Sequence, residues 1–107
     1  DAVYELLVRT YLCAHGKATG KGLHRATVEL VCAPKQAALS QRILPLLTEE
    51  ESAVFKRGRN ANVNSIPAHA SRGEYQQATA LEALFGWLYL KGEQERVNAL
   101  FCVMMEE

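Results

Sequence analysis

The 107-residue chain lacks any stretch of about 18 apolar residues free of charge, which excludes a membrane-spanning helix. It has no low-complexity run, and its 49% hydrophobic content is ordinary, so long disorder is excluded as well. Cysteine is scarce. Cys13, Cys32 and Cys102 form no C-x-x-C and no close pair, so they are expected to be small buried hydrophobes of a reducing compartment. Neither a signal peptide nor a lipidation motif is visible, and a cytoplasmic location is the expectation. The three histidines, His15, His24 and His69, are too scattered for a zinc site. G-x-S-x-G, Walker and dinucleotide motifs are missing. Net charge is zero, twelve basic residues against twelve acidic, so charge alone names no partner.

What is present is one domain's worth of chain, able to bury about 65% of the surface its unfolded form exposes. A single domain over residues 1–107 is expected. The chain begins at Asp1 inside a helical pattern, so further residues are expected upstream.

The zero balance conceals a segregation. Residues 6–73 hold ten bases and four acids, whereas residues 74–107 hold six acids and two bases. Between Ser52 and Gly73 there is no acid. This pattern suits a solvated surface that folds back on itself. It equally suits a cationic stripe beside a carboxylate site, as a protein acting on a polyanion requires.

Apolar periodicity predicts an all-α domain of five or six helices, with no β-type alternation and no internal repeat. The first helix covers residues 1–14, with Val3, Leu6, Leu7, Thr10 and Tyr11 giving its periodicity, and ends at Gly16; a glycine- and lysine-bearing loop follows. Leu23 to Val31 reads as a short helix with Leu23, Ala26, Val28, Leu30 and Val31 inward. Pro34 fits the first turn of a helix over residues 34–47, whose end Pro45 tightens or kinks. Thr48 and Glu51 form a capping box for a helix reaching about Asn60. Residues 60–73 read as a loop, Glu74 to Leu90 as a long helix stopped by Gly92, and Glu93 to Met105 as the last.

The long helix carries the most informative residue. Glu82 is its only charge between Ala78 and Leu90, and apolar residues surround that stretch on every side, marking a central helix. Glu82 shares its face with Tyr75, Ala78, Thr79, Phe85, Gly86 and Tyr89, and the small residues at 78 and 86 admit a close neighbour or a ligand. A buried carboxylate costs several kcal/mol unless paired or bound to a cation, so Glu82 implies a partner. Asp1 and Glu5, one turn apart on the first helix, are candidates. Asp1 could equally serve the helix dipole and Glu5 could pair with Arg9. If the carboxylates converge they need a cation, and oxygen-only ligation suits magnesium or manganese.

Lys56-Arg57-Gly58-Arg59-Asn60 is the cationic counterpart. Basic residues at a helix C-terminus offset the dipole, but three in four residues exceed that need. Arg donors match phosphate oxygens, Gly58 would let a phosphate approach the backbone, and Asn60, Asn62, Asn64 and Ser65 add neutral donors. With no aromatic platform for stacking, the cluster fits a duplex backbone better than a single strand.

At these residues the chain resembles a known family. Asp1-Ala2-Val3-Tyr4-Glu5 is similar to the segment after the glycine of the ribonuclease III signature, and Ala80-Leu81-Glu82-Ala83-Leu84-Phe85-Gly86 to that family's second acidic helix. Leu23-His24, Lys56-Arg57-Gly58-Arg59-Asn60-Ala61 and Thr79-Ala80-Leu81-Glu82-Ala83-Leu84 more closely resemble Mini-ribonuclease III, the branch without a double-stranded-RNA-binding domain. The resemblance spans nearly the whole chain. It implies an all-α homodimer that hydrolyses double-stranded RNA with Mg2+ (or Mn2+), maturing large-subunit (23S) ribosomal RNA precursor, with a ribosomal protein as a candidate helper. It assigns metal association to Asp1 and Glu82, and RNA contact to Lys56, Arg57, Arg59 and Asn60, with Glu5 and Thr79 as accessory positions. Thr79 stands where the wider family has an aspartate, as in the Mini-III branch, which puts a four-carboxylate site in doubt. Two rivals are a non-catalytic RNA-binding or ribosomal scaffold of the same fold, and a helical dimerisation module in which Glu82 pairs with Arg9.

Overall fold

The computed structural model describes residues 2–16, 20–61 and 71–106. Among them are six α-helices and no strand: α1 (Ala2–Ala14), α2 (Gly20–Val31), α3 (Ala33–Ser40), α4 (Glu49–Arg59), α5 (Arg72–Leu90) and α6 (Gln94–Met105), with a single 3-10 turn at Leu44–Leu46. The all-α expectation holds.

Helix α5 is the axis of the fold and touches α1, α3, α4 and α6, while α2 leans on α1 and α3. Its buried side chains Ala80, Leu81, Leu84, Phe85 and Leu88 supply the middle of the core. Helix α1 packs there through Tyr4, Val8 and Leu12, spaced four apart along one stripe, whereas Leu6 and Thr10 of the expected face are exposed. The Tyr4 ring lies 5.9 Å from Phe85 and 6.1 Å from Phe101, the latter edge-on, so α1, α5 and α6 meet at one aromatic contact.

Local signals set most boundaries. Gly16 takes φ 90° after α1 and Gly92 φ 79° after α5. At Gly92 the amides of residues 92 and 93 return to the Tyr89 and Leu88 carbonyls, a Schellman ending. The Thr48–Glu51 capping box forms, and Pro34 stands in the first turn of α3.

Several expectations need correction. The expected helix over residues 34–47 is two pieces. Pro45 has no N–H to return to the Gln41 carbonyl, so α3 stops at Ser40 and the chain tightens into the 3-10 turn. Helix α2 starts at Gly20, and Thr27 rather than Val28 faces inward. The Thr27 hydroxyl donates to the Leu23 carbonyl at 2.7 Å, which makes its burial affordable, while Val28 is 48% exposed. Helix α5 begins two residues earlier than expected, at Arg72, because Ser71 and Glu74 form a second capping box. The three cysteines, expected inside, are all exposed, because each lies off the core-facing stripe of its segment. Residues 62–70, which include Asn62, Asn64, Ser65 and His69, lie outside the described residues.

Candidate active site

Glu82 sits midway along α5, half-buried. Its one hydrogen bond among the described residues comes from α3: the Gln36 side-chain amide donates Nε2–H to Glu82 Oε2 at 3.4 Å. The same nitrogen donates to the Val31 carbonyl at 2.7 Å. Gln36 is fully buried, as is Tyr4 from the first turn of α1. Burial first, then the negative charge of Glu82, push the Tyr4 phenol well above its usual range, so it stays protonated. Three elements therefore surround this carboxylate: the first turn of α1, the start of α3, and α5 itself. One turn along α5, a Cβ added at Gly86 would meet no atom of another described element within 4 Å.

Other expected site residues fall as follows. Asp1 lies outside the described residues. Glu5 is exposed and ion-paired with Arg9 at 3.2 Å, its alternative role, and it has no bond to Glu82. The Arg9–Glu82 pair of the dimerisation reading is not formed among the described residues. Thr79 is half-buried on α5, one turn before Ala83. Lys56 and Arg57 are exposed at the last turn of α4; Arg59 is half-buried and its Nε donates to Asn60 Oδ1 at 3.3 Å.

Gly58 requires a correction. A Cβ at this position would stand 2.9 Å from Ala83 Cβ and 3.0 Å from Ala80 Cα. The glycine thus serves the close crossing of α4 on α5 and is not free to receive a phosphate. The consequence still bears on the site: the crossing brings the basic end of α4 against α5 residues that flank Glu82 in sequence. Beside that end a groove of about 240 Å3 is lined by Leu44, Leu47, Ser52, Phe55, Lys56, Arg59 and Gln77.

Sequence reasoning missed Tyr4 and Gln36. Tyr4 had a signal, since it stands on the core stripe of α1 with Val8 and Leu12. Gln36 had a weaker one, as an amide three residues before the buried Leu39 in a short helix.

Comparison with known proteins gives the family. The profile of the ribonuclease III domain matches residues 1–93. The chain belongs to the ribonuclease III family. Within it, the similarity is to Mini-ribonuclease 3. The Symbiobacterium thermophilum protein of that name is 43% identical over 98 residues, covering 92% of this chain and 75% of the relative. The Thermoanaerobacter protein is 44% identical over 92% of this chain and 69% of its own. The Enterococcus faecalis protein is 40% identical over 94% and 77%. A crystal structure of a Fusobacterium nucleatum protein superposes with a TM-score of 0.86 at 29% identity, covering 97% of this chain and 83% of that one. The chain is therefore an endoribonuclease of the ribonuclease III type, and the scaffold reading gives way.

The residues present also fit a divalent cation of the hard, oxygen-binding kind. Among the described residues the Glu82 Oε1 meets no donor, and two buried oxygens, Tyr4 Oη and Gln36 Oε1, have no hydrogen-bond partner. No three His, Cys, Asp or Glu side chains cluster for a metal among the described residues, which do not include Asp1.

Proposed function

We propose that this ribonuclease III-family chain cuts double-stranded RNA with Mg2+, Mn2+ substituting, and that its natural substrate is the 23S ribosomal RNA precursor. The observation that carries the reading is Glu82, a carboxylate set into an apolar central helix, met by the first turn of α1. That turn directly follows Asp1 in the chain. Asp1 and Glu82 are the residues we assign to the ion. When bound, a divalent ion supplies a coordinated water acid enough to ionise near neutral pH and positive charge for the scissile phosphate.

The remaining steps belong to the chain's own side chains. Lys56, Arg57, Arg59 and Asn60 hold phosphate oxygens of the duplex, with the arginines offering paired donors. The α4–α5 crossing at Gly58 keeps this cationic end in fixed relation to Glu82. Core packing of Tyr4 on Phe85 keeps the start of α1 against α5. We assign the active form to a homodimer acting in the cytoplasm as a single catalytic domain, with a ribosomal protein as a candidate partner. Large exposed apolar side chains such as Leu6, Tyr89 and Leu90 support association with a second copy.

The test is cleavage of a long RNA duplex with and without Mg2+, beside a single-stranded control. Shortening of the duplex alone, and only with the ion, is the expected result.

A further inference from the structure

We propose that Gln36 is a positioning residue that sets the Glu82 carboxylate for ion binding; this rests on the reading of Glu82 as a metal-binding residue. The amide is 2% exposed and stands in the first turns of α3, where its backbone N–H is already bonded to the Cys32 carbonyl at 3.0 Å. Its side-chain nitrogen has two acceptors on two different elements: the Val31 carbonyl at the end of α2, and Glu82 Oε2 on α5.

Both acceptors carry negative charge, partial at the helix end and formal at the carboxylate. Turning the amide over would set Oε1 against both of them, so the orientation is enforced by its neighbours and Nε2–H stays on Glu82. One carboxylate oxygen is thereby held by an immobile donor, and the other, Glu82 Oε1, meets no donor among the described residues and is left for an incoming ion.

The choice of an amide also matters. A lysine or arginine here would neutralise Glu82 and compete with a cation. A neutral donor offsets part of the cost of burial while the full negative charge remains. Gln36 touches neither RNA nor the reacting atoms; it acts through Glu82.

The test uses the full chain and Gln36→Met, which keeps the volume and removes the donor. Mn2+ binding is followed by electron paramagnetic resonance without RNA, and the Mg2+ concentration for half-maximal cleavage is measured on a long duplex. A hydrogen bond to a charged group corresponds to about a tenfold change. Expected is Mn2+ affinity about tenfold weaker and half-activation shifted up by a similar factor, with cleavage at saturating ion and duplex affinity near those of the parent and a melting temperature lowered by the lost bonds to Val31 and Glu82. Should Gln36→Met not fold, Gln36→Asn keeps the buried amide, is too short to reach both acceptors, and carries the same expectation. Unchanged Mn2+ affinity and half-activation in a folded variant overturn the inference. Glu82→Gln in the same assay separates the two readings: if it too binds Mn2+ and cleaves as the parent does, the assignment of Glu82 fails; if it loses both while Gln36→Met is unaffected, only the role of Gln36 fails.

Discussion

At the scale of single residues, burial and contact separate side chains that look equivalent in the sequence. Gly58 reads there as a flexible gap in a basic run, yet its missing Cβ is what lets α4 cross α5. Gly58→Ala puts a methyl 3.0 Å from backbone, which α5 cannot yield easily. We expect a loss of about 1–3 kcal/mol in a urea unfolding titration, the usual range for overpacking. Tyr4 makes the opposite case. Its ring packs on two aromatics, but its hydroxyl has no partner among the described residues. Tyr4→Phe should therefore leave stability within about 1 kcal/mol of the parent by the same titration, whereas Tyr4→Ala should cost about 3–5 kcal/mol. A large loss for the phenylalanine variant would mean that the hydroxyl is bonded. Glu82 was legible as special because a lone charge in an apolar helix needs compensation. The nature of that compensation was not legible, because a neutral amide 46 positions away leaves no periodic or charge signal.

Among the elements, α4 shows how one helix can carry two unrelated tasks. Its first turn holds Glu51, buried and fixed by the Thr48 cap and by Arg96 of α6, whose Nε and one terminal nitrogen each reach a carboxylate oxygen at 2.8 Å. The hydrogen bond from Arg96, above all, holds the Glu51 carboxyl below its ordinary value of 4.5. A carboxyl whose folded value is lowered stabilises the fold fully above its unfolded value and loses that contribution as pH falls through the folded one. Stability tied to this pair should thus be intact above about pH 5 and decline below 4.5. The difference in melting temperature between the parent and Glu51→Gln, followed by circular dichroism, should narrow over that descent. The capping box was legible in Thr48 and Glu51; the link to Arg96 was not, since it joins residues 45 apart. In the last turn of α4, Lys56 and Arg57 are instead exposed, where they can meet a polyanion. Replacing both with alanine should weaken duplex RNA binding several-fold and flatten its salt dependence by up to about two phosphate contacts, read by fluorescence anisotropy at several salt concentrations. Unaltered affinity and slope would remove them from the RNA surface. Where element boundaries departed from the sequence reading, the causes were short-range: the missing proline N–H at 45 and a serine cap at 71; within α2, a threonine able to satisfy its own hydroxyl at 27 took the inward place expected of Val28.

For the whole molecule, the order of helices and the central place of α5 followed from where apolar residues encircle the chain and where they do not. Charge segregation was legible too, and the fold uses it: the basic end of α4 crosses the helix that bears Glu82. Less legible was the outer surface. Cys13, Cys32 and Cys102 are exposed, as are Leu6, Tyr89 and Leu90, and residue type alone had assigned the cysteines to the core. The account as a whole stands on the assignment of Glu82, in this ribonuclease III-family chain, as a carboxylate that binds the proposed ion. The most direct measurement is cleavage of a long RNA duplex by the parent and by Glu82→Gln in Mg2+, with duplex affinity measured in parallel. The account predicts cleavage by the parent only, with both proteins folded and binding duplex alike. Undiminished cleavage by Glu82→Gln would contradict it.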